Sequence, residues 1–235
     1  MLVKNWMSKP VITVGENYSM QDAINLLKQH NIRMLPVMGK GRVVGIISDR
    51  DLKKASASDV NISENHELIY SKIKIKDIMT ENPISVPDDY TVEETAEVLL
   101  INKISGVPVI NEQEKLVGII TQTDLFRVIF SLTGIGKKGI QFALKVFDRL
   151  RSIQQITDII RSYGSRVSSI LTSYERVPPG YRMVYIRIFN IDYPSLQSLI
   201  EEIRGQAELL YMIDHDKRKR HIYAQADTYD QAEQI

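Results

Sequence analysis

The chain has 235 residues, with 30 Lys and Arg against 29 Asp and Glu for a formal net charge of +1, and 43% of it is hydrophobic. That length suits one to two ordinary domains or several small ones, and a charge so near zero supplies no global field for nucleic acid, so any anion site must be local. Zero cysteines exclude disulfides, thiolate catalysis and sulfur-built zinc sites. No apolar run approaches the roughly 18 residues of a membrane helix, and the first residues, Met1 to Trp6, lack a signal-peptide core, which points to a cytoplasmic protein.

Taken in order, the chain writes one pattern twice at an offset of about 72 residues. Met7-Ser8-Lys9-Pro10 through Val14 answers Met79-Thr80 through Val86, and Glu16 to Ser19 answers Asp88 to Thr91. Ser19 and Thr91 stand where a helix N-cap belongs, and Thr91 with Glu94 forms a capping box. Met20, Ala23, Ile24 and Leu27 follow at the spacing of one apolar helix face; Val92, Thr95, Ala96 and Leu99 repeat it. Leu35 to Met38 and Val107 to Ile110 read as strands with Pro near their starts, where a missing N–H is tolerated. Turns at Gly39 to Gly41 and Asn111 to Glu114 lead into second strands.

Those second strands end in the stretch that carries the chemistry. Gly45-Ile-Ile-Ser48-Asp-Arg50-Asp51-Leu is answered by Gly118-Ile-Ile-Thr121-Gln-Thr-Asp124-Leu. In each, a strand breaks at a hydroxyl and runs into a helix, so the hydroxyl caps the first turn and the positive helix end suits a phosphate. The carboxylate three residues on can accept hydrogen bonds from ribose hydroxyls. The plainer alternative is an ordinary capping box at each place. Each copy thus reads as a β-α-β-β-α unit of about 55 residues, too small to stand alone but sufficient in a pair.

These landmarks, with Asp77-Ile-Met-Thr80 and Gly106-Val-Pro-Val109, resemble a tandem pair of CBS motifs, a Bateman module, over residues 2 to about 133. The connector from Ser63 to Lys76 resembles that of acetoin-utilisation-type proteins, in which a CBS pair is joined to an ACT domain. The resemblance implies a cleft of parallel strands that takes AMP, ADP or ATP, or in some members S-adenosylmethionine. It further implies that Asp51 and Asp124 hold ribose and that Ser48 and Thr121 hold phosphate. Backbone around Val11, Ile12 and Ile84 would read the adenine edge, with Met34, Leu35, Gly106 and Val107 along the base. Arg50, with Lys53 and Lys54 one turn on, is expected to give the first site a preference for the more highly phosphorylated ligand.

Beyond the glycine- and lysine-rich linker at 134–139, a strand at Ile140 to Phe147 precedes a helical stripe of Ile153, Ile156, Ile159, Ile160 and Tyr163 that ends at Gly164. Two β-rich stretches, Val167 to Tyr174 and Met183 to Ile191, flank the turn at Pro178-Pro-Gly180. A second helix begins near Pro194 with a stripe of Leu196, Leu199, Ile200 and Ile203, and Ala207 to Ile213 closes as a strand. The order β-α-β-β-α-β is the ferredoxin-like unit and resembles an ACT domain. Asp148-Arg-Leu-Arg lacks the glycine that amino-acid-binding ACT domains use, so a dimerising role is expected rather than a ligand-binding one.

The expected fold is α/β and α+β: CBS motifs at 2–60 and 75–133 around a connector at 61–74, an ACT-like domain at 140–215, and a polar tail at 216–235. Lys217 to Arg220 reads as a solvated chain end rather than a nucleic-acid patch, and no metal site is expected. No nucleophile elbow, Walker loop or zinc-protease motif occurs. The expectation is therefore a homodimeric, non-enzymatic regulator with an adenine nucleotide as ligand, no catalytic cofactor, no membrane or nucleic-acid partner, and an unidentified protein that it regulates. The alternatives are a scaffold with empty clefts, an S-adenosylmethionine binder or a nucleic-acid binder.

Overall fold

The computed structural model describes residues 1–57 and 66–224, so part of the expected connector and the last part of the expected tail lie outside the described residues. The chain divides into two compact units, Met1–Phe126 and Arg127–Ile235.

In the first unit, β1 (Val14–Gly15) leads to α1 (Met20–His30), β2 (Met34–Gly39), β3 (Arg42–Ser48) and α2 (Asp49–Ala57). Helix α1 starts at a reciprocal cap, because Ser19 accepts the Asp22 N–H on its hydroxyl while the Asp22 carboxylate accepts the Ser19 N–H. The Ser19 hydroxyl, donating to the Asp22 carboxylate at 2.7 Å, and then the Ser19 N–H hold that carboxyl below its ordinary value. The helix buries Met20, Ala23 and Leu27 and stops at Asn31, which turns left-handed with φ of 50°. Lys40 and Gly41 both take positive φ, which matches the twist of a two-residue hairpin between β2 and β3.

Helix α3 (His66–Tyr70) and β4 (Thr80–Glu81) precede the second copy, which comprises β5 (Val86–Pro87), α4 (Val92–Ile101), β6 (Gly106–Ile110), β7 (Leu116–Thr121) and α5 (Gln122–Leu132). Helix α4 begins at the expected Thr91–Glu94 box. The β6–β7 turn is held by Asn111, whose side-chain oxygen accepts the N–H groups of Gln113 and Lys115, both at 3.0 Å. Among the described residues of this unit, only β1–β2 and β5–β6 pair parallel, while β2–β3, β3–β4 and β6–β7 are antiparallel. The expected parallel cleft is therefore corrected to two mixed sheets, because each copy returns through a hairpin.

The two copies are crossed. The strand that completes the first sheet, β4, comes from the start of the second copy and pairs Gly45 with Glu81 and Ile46 with Thr80. Ile75, fully buried, belongs to the first copy's core with Val14, Leu35 and Ile47. Conversely, Val3 lies in the second copy's core with Val86, Leu99, Val107 and Ile120. Ser8 makes an antiparallel bridge to Ile119. Glycines make the crossing possible: a Cβ on Gly45 would sit 2.3 Å from the Met79 sulfur, and one on Gly118 would sit 2.1 Å from the Met7 sulfur. Each repeat's methionine thus plugs the other repeat's glycine.

The second unit contains β8 (Ile140–Phe147), α6 (Ser152–Ser162), β9 (Arg166–Ser173), β10 (Tyr181–Phe189), α7 (Leu196–Arg204), β11 (Glu208–Asp214) and β12 (Lys219–Ile222). The sheet order is β12-β11-β8-β10-β9, antiparallel throughout. One face buries Phe142, Leu144, Val184 and Ile186 against Ile156 and Ile160 of α6 and Leu199 and Ile203 of α7. The expected stripes thus become core, at about 1.5–3 kcal/mol per fully buried side chain.

Lys217 to Arg220 are exposed, as expected of a solvated stretch, but they are not a loose chain end, because Lys219 and Arg220 begin β12. Asp214 Oδ1 accepts the N–H groups of Asp216 at 3.0 Å and Lys217 at 2.8 Å, and Arg218 turns left-handed, so the chain reverses onto β11. Lys217 lies over the Tyr193 ring, and Arg204 at the end of α7 lies over Tyr223, just past β12. No helix among the described residues is long and apolar enough to cross a membrane.

Candidate functional site

Both strand–helix corners fold alike. At the end of β3, Asp51 Oδ2 accepts the Ser48 N–H at 2.8 Å and the Ser48 hydroxyl at 2.6 Å, and the Asp51 N–H returns to Ser48 Oγ at 3.4 Å. At the end of β7, Asp124 Oδ2 accepts the Thr121 N–H at 2.9 Å and hydroxyl at 2.7 Å, and the Asp124 N–H returns at 3.4 Å. The next N–H in each corner is also taken, Asp49 by the Arg33 carbonyl and Gln122 by the Ser105 carbonyl, both at 3.0 Å. In each corner one carboxylate oxygen builds the cap, so a ligand would have to be met by the other.

The hydroxyls are more committed than the sequence suggests. Ser48 and Thr121 each give their only hydroxyl proton to the carboxylate, so either would have to give up that bond to donate to a phosphate.

The second carboxylate oxygen separates the copies. Asp51 is half-buried and its Oδ1 accepts no hydrogen bond among the described residues. Asp124 is only 2% exposed, and its Oδ1 accepts the Ser8 hydroxyl at 3.4 Å. Arg50 is exposed beside the first corner, where Lys53 pairs at 3.8 Å with Asp49. In the second corner Gln122 reaches the Ile104 carbonyl at 3.4 Å.

The remaining expected residues fall into two groups. Leu35 and Val107 are fully buried in the two cores, which leaves only their backbone to lie along a base. Ile12 packs on the first core, Val11 is half-buried, and Ile84 is 42% exposed. Met34 pairs across the strand with Ser48, as Gly106 does with Thr121. The Met34 sulfur also lies 2.8 Å from where a Gly106 Cβ would stand, a point 3.0 Å from Thr121 Cγ2, so Met34 reaches the second corner from the first copy.

Sequence reasoning missed Ser8 and Thr80. It used both as landmarks of the repeat, yet the crossing carries Ser8 to the Thr121–Asp124 corner and pairs Thr80 with β3, the strand that ends at Ser48. The available signal was a hydroxyl following methionine in both copies. Among the described residues no three His, Asp or Glu side chains gather as a metal-binding group.

The family model described as the CBS domain matches residues 3–58 and 75–131. A CBS domain-containing protein of Dictyostelium discoideum is 33% identical over 135 residues, covering 56% of this chain and 92% of that protein. An L-aspartate semialdehyde sulfurtransferase of Methanocaldococcus jannaschii is 38% identical over 128 residues, 54% of this chain, and the chain spans only 23% of that enzyme's length. The crystal structure of an acetoin utilization protein from Vibrio cholerae aligns with a TM-score of 0.50 and 25% identity, over 59% of this chain and 97% of that one.

Proposed function

The chain belongs to the CBS-domain family, and on that premise we propose that it is a non-enzymatic sensor whose paired corners bind an adenine nucleotide. CBS pairs are generally regulatory and commonly bind adenine nucleotides or S-adenosylmethionine. The observation that carries the reading is the half-exposed Asp51 carboxylate, with one oxygen spent on the cap and the other bare beside Arg50. A carboxylate oxygen fixed in this way accepts a ribose hydroxyl without reorganising, and an exposed guanidinium next to it answers phosphate charge. ATP is therefore favoured over AMP at the first corner.

The second unit acts as an ACT-like, ferredoxin-like module that dimerises and passes on the state of the pair. Its β-α-β-β-α-β order with β11, β8, β10 and β9 as neighbours supports this. The loop after β8 has no glycine approach: Arg151 itself takes φ of 66°. Asp148 is engaged by Arg182 at 3.4 Å, and Arg182 also donates to Ser152 at 3.1 Å. That supports a coupling role over amino-acid binding.

Calorimetric titration of the full chain with ATP, ADP, AMP and S-adenosylmethionine tests the reading. Asp51→Asn keeps a cap acceptor but removes the charge, and should weaken nucleotide binding by about 10- to 100-fold. Binding by neither nucleotide nor S-adenosylmethionine at millimolar concentration contradicts the sensor reading and leaves the scaffold. S-adenosylmethionine alone would reassign the ligand.

A further inference from the structure

The repeat supplies two corners, and their geometry is unequal. At the first, one carboxylate oxygen of Asp51 is bare and the residue is half-exposed. At the second, the equivalent oxygen of Asp124 is covered by the Ser8 hydroxyl. Ser8 is not a passing neighbour: its N–H donates to the Ile119 carbonyl at 2.8 Å and its carbonyl accepts the Ile119 N–H at 3.2 Å. Thr80, its counterpart on the other copy, makes no side-chain hydrogen bond to Asp51. Met34 adds a second cover, since its thioether fills the space that a side chain at Gly106 would occupy, against the Thr121 methyl.

We propose that the two corners load in sequence: the Ser48–Asp51 corner binds ligand first, and the Thr121–Asp124 corner is latched by Ser8 and Met34 of the first copy. This rests on the reading of the corners as nucleotide sites. A ribose at the second corner has to take the place of the Ser8 hydroxyl on Asp124, and a base or sugar beside Thr121 has to move the Met34 side chain. A ribose at Asp51 displaces no hydrogen bond. Met34 also stands across the strand pair from Ser48, so a ligand at the first corner is positioned to move it, and the pair would report two concentration ranges of one ligand.

The test is calorimetric titration of the full chain with ATP, run in parallel with S-adenosylmethionine. The expected result is one ligand per chain in the first event, weakened at least about 10-fold by Asp51→Asn and unchanged by Asp124→Asn. Ser8→Ala removes only a hydroxyl from an exposed residue and keeps the fold; it should strengthen the second event by about 3- to 10-fold. Adding Met34→Ala should strengthen the second event further. Two equal sites in the parent, a first event abolished by Asp124→Asn, or no gain from Ser8→Ala overturns the latch while leaving the sensor reading intact. Absence of binding by both probes in the parent and in every variant overturns the sensor reading, and the latch with it.

Discussion

Substituting Gly118 by Ala tests the crossing of the two copies. The new Cβ would lie 2.1 Å from the Met7 sulfur, 2.6 Å from its Cγ and 3.1 Å from its Cβ. Ordinary contact begins near 3.4 Å, so a rotamer change at the tip does not suffice and the whole side chain must retreat. Overpacking of this kind costs about 1–3 kcal/mol, and the involvement of Cγ and Cβ places Gly118→Ala near about 2–3 kcal/mol. Met7→Ala, at a half-buried position, should cost about 1–2 kcal/mol by itself. In the double variant the obstacle is gone and the added methyl fills part of the vacated space. The costs should therefore fall short of additivity by about 2 kcal/mol. Trp6, the single tryptophan, neighbours Met7 in sequence, so urea unfolding followed by its fluorescence reads the relevant segment. Additive costs, or rescue of Gly118→Ala by Met79→Ala in place of Met7→Ala, would refute the crossed packing.

Two further outcomes concern the second unit. Arg187, 3% exposed, donates to the Thr133 carbonyl at 2.8 Å, the Lys138 carbonyl at 3.2 Å and Gln141 Oε1 at 2.6 Å. Arg187→Met should cost about 2–4 kcal/mol in denaturant melts, and Arg187→Lys should not rescue it, because one ammonium does not span three acceptors. His215 is held below its ordinary value near 6.5 by burial, then by Arg187 and Arg220, with Asp214 and Asp216 opposing. The folded chain therefore binds fewer protons than the unfolded one between the depressed value and 6.5, so stability present above pH 6.5 falls as pH drops through that window. His215→Leu should flatten the profile there, as read by melting temperature against pH. A parent profile that rises toward pH 5 would reverse the assigned sign.

What the sequence made legible has local physical causes. The Thr91–Glu94 box, the Gly164 stop and the stripe of Leu199, Ile200 and Ile203 each follow from rules that act within a few residues, and all occur in the structure. The corner hydroxyls and carboxylates were legible for the same reason, since S-x-x-D and T-x-x-D carry their geometry with them. The crossing was not legible, because Val3 and Ile75 look alike in sequence and only long-range packing decides which core each joins. Strand β12 was hidden because Lys219 to Ile222 are all exposed, so no apolar alternation marks them. Asp22 stands at the same spacing from Ser19 as Glu94 from Thr91, and its shorter carboxylate closes the box equally well. The inequality of the corners has no local signature: Ser8 and Asp124 stand more than a hundred residues apart and meet only through the fold.

A crystal structure of the full chain grown with ATP tests the central claim most directly. The expected result is a nucleotide with a ribose hydroxyl within about 3 Å of Asp51 Oδ1 and its phosphates on the side of Arg50, with Ser48 still bonded to Oδ2. A nucleotide bound elsewhere, or a fully formed complex in which Asp51 keeps its bare oxygen, would contradict it.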